Sequence, residues 1–110
     1  MKIRYGQRAE IESFDLFDEN NDGDEIIVAC DNGAVVGYAQ FTGCRLHFIE
    51  SNMPGAGSAL INWLKSENDY IEAVNVETTA AGFYDKMGFE RNDQSSWGGC
   101  FNMDWYEDEE

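Results

Sequence analysis

The sequence predicts a mixed α/β fold, an antiparallel meander followed by a β-α-β crossover. Three observations carry this. From Ile26 to Glu50, short apolar runs alternate with tight-turn signals, which is the texture of paired strands. From Ser58 to Thr78, a helical period gives way to a strand, as a crossover requires. The chain has 110 residues, no internal repeat and no Pro/Gly/Ser-rich linker, so 1–110 reads as a single domain.

The elements follow in order. Lys2 to Tyr5 alternates and reads as a first strand. Gln7 to Glu19 sets Ile11 and Phe14, with Leu16 and Phe17 nearby, at roughly helical spacing and reads as a helix. Asn20-Asn21-Asp22-Gly23 is a turn. Ile26 to Cys30 is an apolar run of the buried-strand type. Asp31-Asn32-Gly33 turns it into Ala34 to Phe41, so the two read as a hairpin. After Thr42-Gly43, Cys44 to Glu50 is a third meander strand, with Leu46 and Phe48 expected on one face and Arg45 and His47 on the other. Ser51 to Gly57 reads as a loop holding the only proline, Pro54. Ser58 to Glu67 places Leu60, Ile61 and Leu64 on one helix face. Tyr70 to Thr78 is a strand and Thr79 to Met87 a short helix stopped by Gly88. Phe89 to Asn92 and Cys100 to Tyr106 complete the sheet.

Composition bounds the function. Apolar residues at 43% and aromatics at 14% supply a core. No apolar run approaches the ~18–20 residues of a membrane span. Met1 to Glu10 carries no apolar leader segment, and the three cysteines, Cys30, Cys44 and Cys100, form no CxxC. The expectation is a cytoplasmic protein with reduced thiols, Cys44 and Cys100 being small core residues.

Seven Lys and Arg against 22 Asp and Glu leave a net charge of −15. That charge repels phosphate backbones and anionic lipid, so neither nucleic acid nor membrane is expected as a partner. No Lys or Arg lies between Arg8 and Arg45, whereas nine acids do. A second acidic run, Asp104 and Glu107 to Glu110, closes the chain. Solubility accounts for this charge, and so do steering of a cationic ligand, mimicry of a nucleic acid and adaptation to high salt. Asp18-Glu19-Asn20-Asn21-Asp22-Gly23 matches the first half of a calcium loop. The twelfth position would be Ala29 rather than a bidentate Glu, so an Asx-type turn is expected and no metal site.

Chemistry concentrates in two stretches. In Asn52-Met53-Pro54-Gly55-Ala56-Gly57-Ser58, two glycines precede a helix start, where free N–H groups and the positive dipole end favour an anion. One strand and one helix later comes Ala80-Ala81-Gly82-Phe83-Tyr84-Asp85-Lys86-Met87-Gly88-Phe89. Together these resemble the GNAT superfamily of N-acetyltransferases. There, a Gln/Arg-x-x-Gly-x-Gly/Ala loop cradles the pyrophosphate of coenzyme A, and a later Ala-x-x-Leu/Phe-Tyr-Glu/Asp-Lys-x-Gly-Phe segment forms the next helix and its exit. Asn52 replaces the usual Gln or Arg, and Glu77 stands where an Asn often precedes the helix.

The resemblance implies a GNAT-like fold with splayed parallel strands. It implies acetyl-coenzyme A as co-substrate and direct acetyl transfer to a primary amine within a ternary complex. The cofactor would be held by Phe48, Ile49, Asn52, Gly55, Ala56, Gly57, Ser58 and Lys86. An N–H of the Phe48–Glu50 strand would face the developing oxyanion. Tyr84 would protonate the leaving thiolate and Glu50, at the strand end, would be the general base, with His47 as the other candidate. The acceptor is a small-molecule or peptide amine, and the acidic N-terminal region favours a cationic one. Members of that family dimerise through C-terminal strands, so Trp97, Trp105 and Tyr106 offer either a homodimer surface or a completion of the core. The competing reading is a non-catalytic acidic protein on the same scaffold, which binds or inhibits a basic partner.

Overall fold

The computed structural model describes residues 1–15, 17, 25–97 and 100–107, with the backbone alone at 93–97. The turn at 20–23 and the calcium-like stretch 18–23 lie outside the described residues. A seven-stranded sheet runs β1-β2-β3-β4-β5-β7-β6. Its strands are β1 (Lys2–Tyr5), β2 (Glu25–Asp31), β3 (Ala34–Thr42), β4 (Arg45–Ser51), β5 (Tyr70–Val76), β6 (Glu90–Trp97) and β7 (Cys100–Tyr106). Helix α1 (Ala56–Glu67) joins β4 to β5, and α2 (Ala81–Lys86) follows β5. The first four strands form the expected antiparallel meander, and β4 pairs with β5 in parallel through the α1 crossover. No helix among the described residues is long and apolar enough to cross a membrane.

The meander is covered on both faces, which explains the uninterrupted apolar run of β2. Ile27 and Ala29 pack with Ala39, Phe41 and the Leu60, Ile61 and Leu64 stripe of α1. Ile26 and Val28 pack on the other side with Ile11, Phe14 and Tyr38. Each fully buried aliphatic side chain contributes roughly 1.5–3 kcal/mol.

The segment covering that second face is not the helix expected over Gln7 to Glu19. Its described part is a single 3-10 turn, Arg8–Glu10, continued by further turns. The amides of Ile11, Phe14 and Phe17 each donate three residues back, to the carbonyls of Arg8, Ile11 and Phe14, at 3.1 Å. The apolar residues recur every third position, the period of a 3-10 helix rather than an α-helix, and this brings Ile11 and Phe14 onto the sheet. Glu10 fixes the entry by accepting the Gln7 amide at 3.0 Å and pairing with Arg4 of β1 at 2.6 Å.

A second correction concerns the faces of β4. Gln40 pairs with Phe48 and Phe41 with Leu46, so His47 is the extra residue of a bulge. The bulge breaks the alternation: Leu46 joins the α1-side core and Phe48 the opposite one. Smaller shifts follow. Helix α1 begins at Ala56, so Ala56 and Gly57 belong to its first turn rather than to the loop. Strand β5 stops at Val76, α2 spans only Ala81–Lys86, and β6 extends to Trp97. Cys44 is exposed at the β3–β4 turn rather than in the core.

Candidate active site

The site forms where the parallel pairing fails. Arg45 pairs with Glu72 and Leu46 with Ala73, and the register between β4 and β5 ends there. An ion pair, Arg45 Nε to Glu72 Oε1 at 3.0 Å, closes that end, and the Glu72 amide donates to the Cys44 carbonyl at 2.9 Å. Beyond it the strands diverge around a cleft of about 350 Å³. One wall is β4 from His47 to Ser51, the other β5 and its exit from Val74 to Glu77. Gly57 of α1 and Ala80, Phe83 and Tyr84 at α2 complete it.

The start of α1 sits at this cleft because small residues let it. A β-carbon on Gly37 would lie 3.0 Å from the Glu50 carbonyl oxygen and 3.4 Å from the Ala56 β-carbon, so β3 has no side chain where α1 presses on the sheet. The Asn52 amide donates to the Val36 carbonyl at 2.7 Å and ends β4. Gly55 then takes a left-handed φ of 89°, which glycine adopts at no steric cost, and leads straight into the helix. First-turn amides of any helix have no acceptor within it, so the Gly57 and Ser58 N–H groups lie at the dipole's positive end.

Tyr84 is placed by the way α2 stops. The Phe89 amide donates to the Tyr84 carbonyl and the Gly88 amide to the Asp85 carbonyl, each at 3.0 Å, with Gly88 at φ 89°. This is a Schellman cap, and its hydrophobic contact is the Tyr84–Phe89 ring pair, 5.3 Å between centroids. Lys65, in the last turn of α1, donates to the Met87 carbonyl and lies 5.1 Å from the Trp105 ring centroid. The Tyr-x-x-x-Gly-Phe pattern is therefore a helix stop as well as the source of Tyr84 at the cleft. Burial holds the Tyr84 phenol well above its ordinary range, so it stays protonated at neutral pH.

Glu50 does structural work at the cleft edge: its Oε2 accepts the Asp15 amide at 3.1 Å, tying the covering segment to β4. Across the sheet it faces Tyr38, whose fully buried phenol is pushed up to about 12, by burial first and then by the Glu50 charge.

Of the residues singled out in the sequence, Phe48, Ile49, Glu50, Gly57 and Tyr84 come together in the cleft, with His47. Gly55, Ala56 and Ser58 lie at the start of α1 beside it, Asn52 is exposed just before them, and Lys86 is exposed at the end of α2. None of these five is among the lining residues. Sequence reasoning missed Val74, Asn75 and Ser51; for Asn75, an Asn within an apolar strand was the one available signal. Among the described residues, no group of three or more acids, cysteines or histidines is placed to hold a metal ion.

No protein-family model matches the chain, and no curated protein matches it in sequence. Solved structures do. A GCN5-related N-acetyltransferase from Rhodopseudomonas palustris is 20% identical, over 74% of this chain and 61% of its own, with a TM-score of 0.60. The YncA putative acetyltransferase from Salmonella typhimurium, solved with acetyl-CoA, is 17% identical over 100% of this chain and 95% of its own, at 0.62. The PaiA N-acetyltransferase from Thermoplasma acidophilum, solved with coenzyme A, is 17% identical over 74% and 59%, at 0.55. The chain thus spans about three fifths of the length of the first and third of these. The fold is that of the GCN5-related N-acetyltransferases.

Proposed function

We propose that this chain is a GNAT-type N-acetyltransferase that takes acetyl-coenzyme A as co-substrate and a cationic primary amine as acceptor. The splay of β4 and β5 carries this reading, because it opens a cleft with Gly57 at one wall and Tyr84 at another. The fit to coenzyme A is good in shape. The left-handed Gly55, with open space where a side chain would stand, leaves the approach to the first-turn N–H groups of α1 clear, which suits a pyrophosphate. The edge of β4 that β5 has left suits an extended, amide-bearing arm. When bound, the thioester supplies the activated acetyl group.

The chain's own residues supply the rest. In this reading a backbone N–H of Phe48 to Glu50, which line the cleft, donates to the developing oxyanion. In this reading Glu50 receives the ammonium proton and the protonated Tyr84 gives one to the leaving thiolate, and both residues line the cleft. Glu50 and Glu77 both line the cleft, and among the described residues no Lys or Arg does, which favours a cationic acceptor. The same absence of cations supports a second reading, a non-catalytic acidic module that receives a basic partner.

Calorimetric titration with acetyl-coenzyme A separates them. The transferase reading expects micromolar binding, lost in a folded Gly57→Glu variant. With polyamines or lysine peptides as acceptors, Tyr84→Phe should lower thiol release about a hundredfold, with acetyl-coenzyme A affinity unchanged. No binding at millimolar acetyl-coenzyme A would sink the transferase reading and leave the binding module.

A further inference from the structure

Strand β5 is bent where the cleft opens, and neither motif accounts for the bend. Asn75 has a φ of 55°, one of two non-glycine residues in the left-handed region among the described residues. The other, Asn32, lies in the β2–β3 turn, where that conformation is routine. Asn75 lies inside a strand, between Val74 and Val76, residues that favour extended backbone.

The register shows what the left-handed residue does. Ala73 pairs with Met103 and Val76 with Phe101, so Val74 and Asn75 of β5 face Asn102 alone on β7. This is a bulge, which bends its strand and increases its twist. It begins one residue after the last β4–β5 pair, Leu46 with Ala73. On β4 the His47 bulge begins one residue after the same pair. A side chain holds the β5 bulge: the Asn75 amide donates to Oδ1 of Asn102 at 3.2 Å. Asn is among the few side-chain-bearing residues that tolerate this conformation, whereas a β-branched residue is a true outlier there.

We propose that Asn75 and Asn102 are positioning residues that keep β5 from extending its ladder along β4, and so set the width of the cleft. Without them, Val74–Val76 and Phe48–Glu50 are two strand-forming segments that follow the last parallel pair, with only the His47 bulge of β4 between them and further pairing. Only the ligand readout below rests on the transferase reading.

The test uses the full chain with three substitutions. Asn75→Gly keeps the left-handed conformation, Asn75→Val forbids it, and Asn102→Ala removes the acceptor on β7. Amide hydrogen exchange is followed at Phe48–Glu50 and Val74–Val76, and acetyl-coenzyme A affinity by calorimetry. Asn75→Gly should keep wild-type exchange and an affinity within about threefold, whereas Asn75→Val and Asn102→Ala should slow exchange and weaken affinity about tenfold or more. Should Asn75→Val fail to fold, Asn102→Ala decides alone. Unchanged exchange in Asn102→Ala overturns the proposal. If wild type does not bind acetyl-coenzyme A yet exchange slows as expected, the transferase reading falls and the positioning role stands.

Discussion

The ring of Phe83 occupies the space a side chain on Gly57 would need: a β-carbon there would lie 3.2 Å from Cζ and 3.3 Å from Cε1. The second glycine of the motif is thus closely confined by α2, independently of any ligand. Adding a methyl in this packed seam outweighs the usual helix preference for alanine over glycine. Gly57→Ala should cost about 1–3 kcal/mol of stability in urea unfolding. In the Phe83→Leu background the same change should cost clearly less, because the clashing ring is gone. An equal cost in both backgrounds would mean that Phe83 is not the constraint.

The α2 stop makes a second test. Gly88→Ala forces a β-carbon into the left-handed region and should cost about 1–2 kcal/mol. Lys65→Met removes the cation that caps the Met87 carbonyl and should cost about 1 kcal/mol. The two share one helix end, so their costs should fall short of additive in a double variant measured by denaturant.

Alkaline pH should weaken the fold. Burial raises the phenols of Tyr38 and Tyr84, and burial with the Asp104 hydrogen bond raises that of Tyr70. In the unfolded chain these groups release protons near their ordinary value of 10.0, and in the fold they release them later. Above that value the unfolded chain binds fewer protons than the folded one, so stability falls as pH rises. Below it their contribution is fully present. Tyr38 alone accounts for about 1 kcal/mol near pH 11. Tyr38→Phe should blunt the fall in urea midpoint between about pH 8 and pH 11. It should cost little at the lower pH, because the buried Tyr38 hydroxyl has no hydrogen-bond partner among the described residues.

Much of the fold was legible. The hairpin over Asp31-Asn32-Gly33 and the Leu60, Ile61, Leu64 stripe are local patterns whose period states which face is buried. The first covering segment misled because Ile11, Phe14 and Leu16 also fit a loose helical spacing. The sheet decided between the two periods by receiving Ile11 and Phe14 from successive 3-10 turns. The site was half legible: the glycine loop and the Phe83–Tyr84 segment named one wall each. Asn52 and Lys86 were drawn in by motif position, and both side chains sit outside the cleft.

By itself the sequence determined the meander, the crossover, the glycine start of α1 and the Gly88 stop of α2. Each rests on a conformation or a period that a few neighbouring residues impose. Only the tertiary structure decided where the ladder between β4 and β5 ends. That end depends on a bulge at His47, read against Gln40 and Phe41 of β3, and a bulge at Asn75, held by Asn102 of β7. A bulge is a mismatch in count between two paired strands, so its location depends on the partner strand, and the cleft that follows from the two bulges does too.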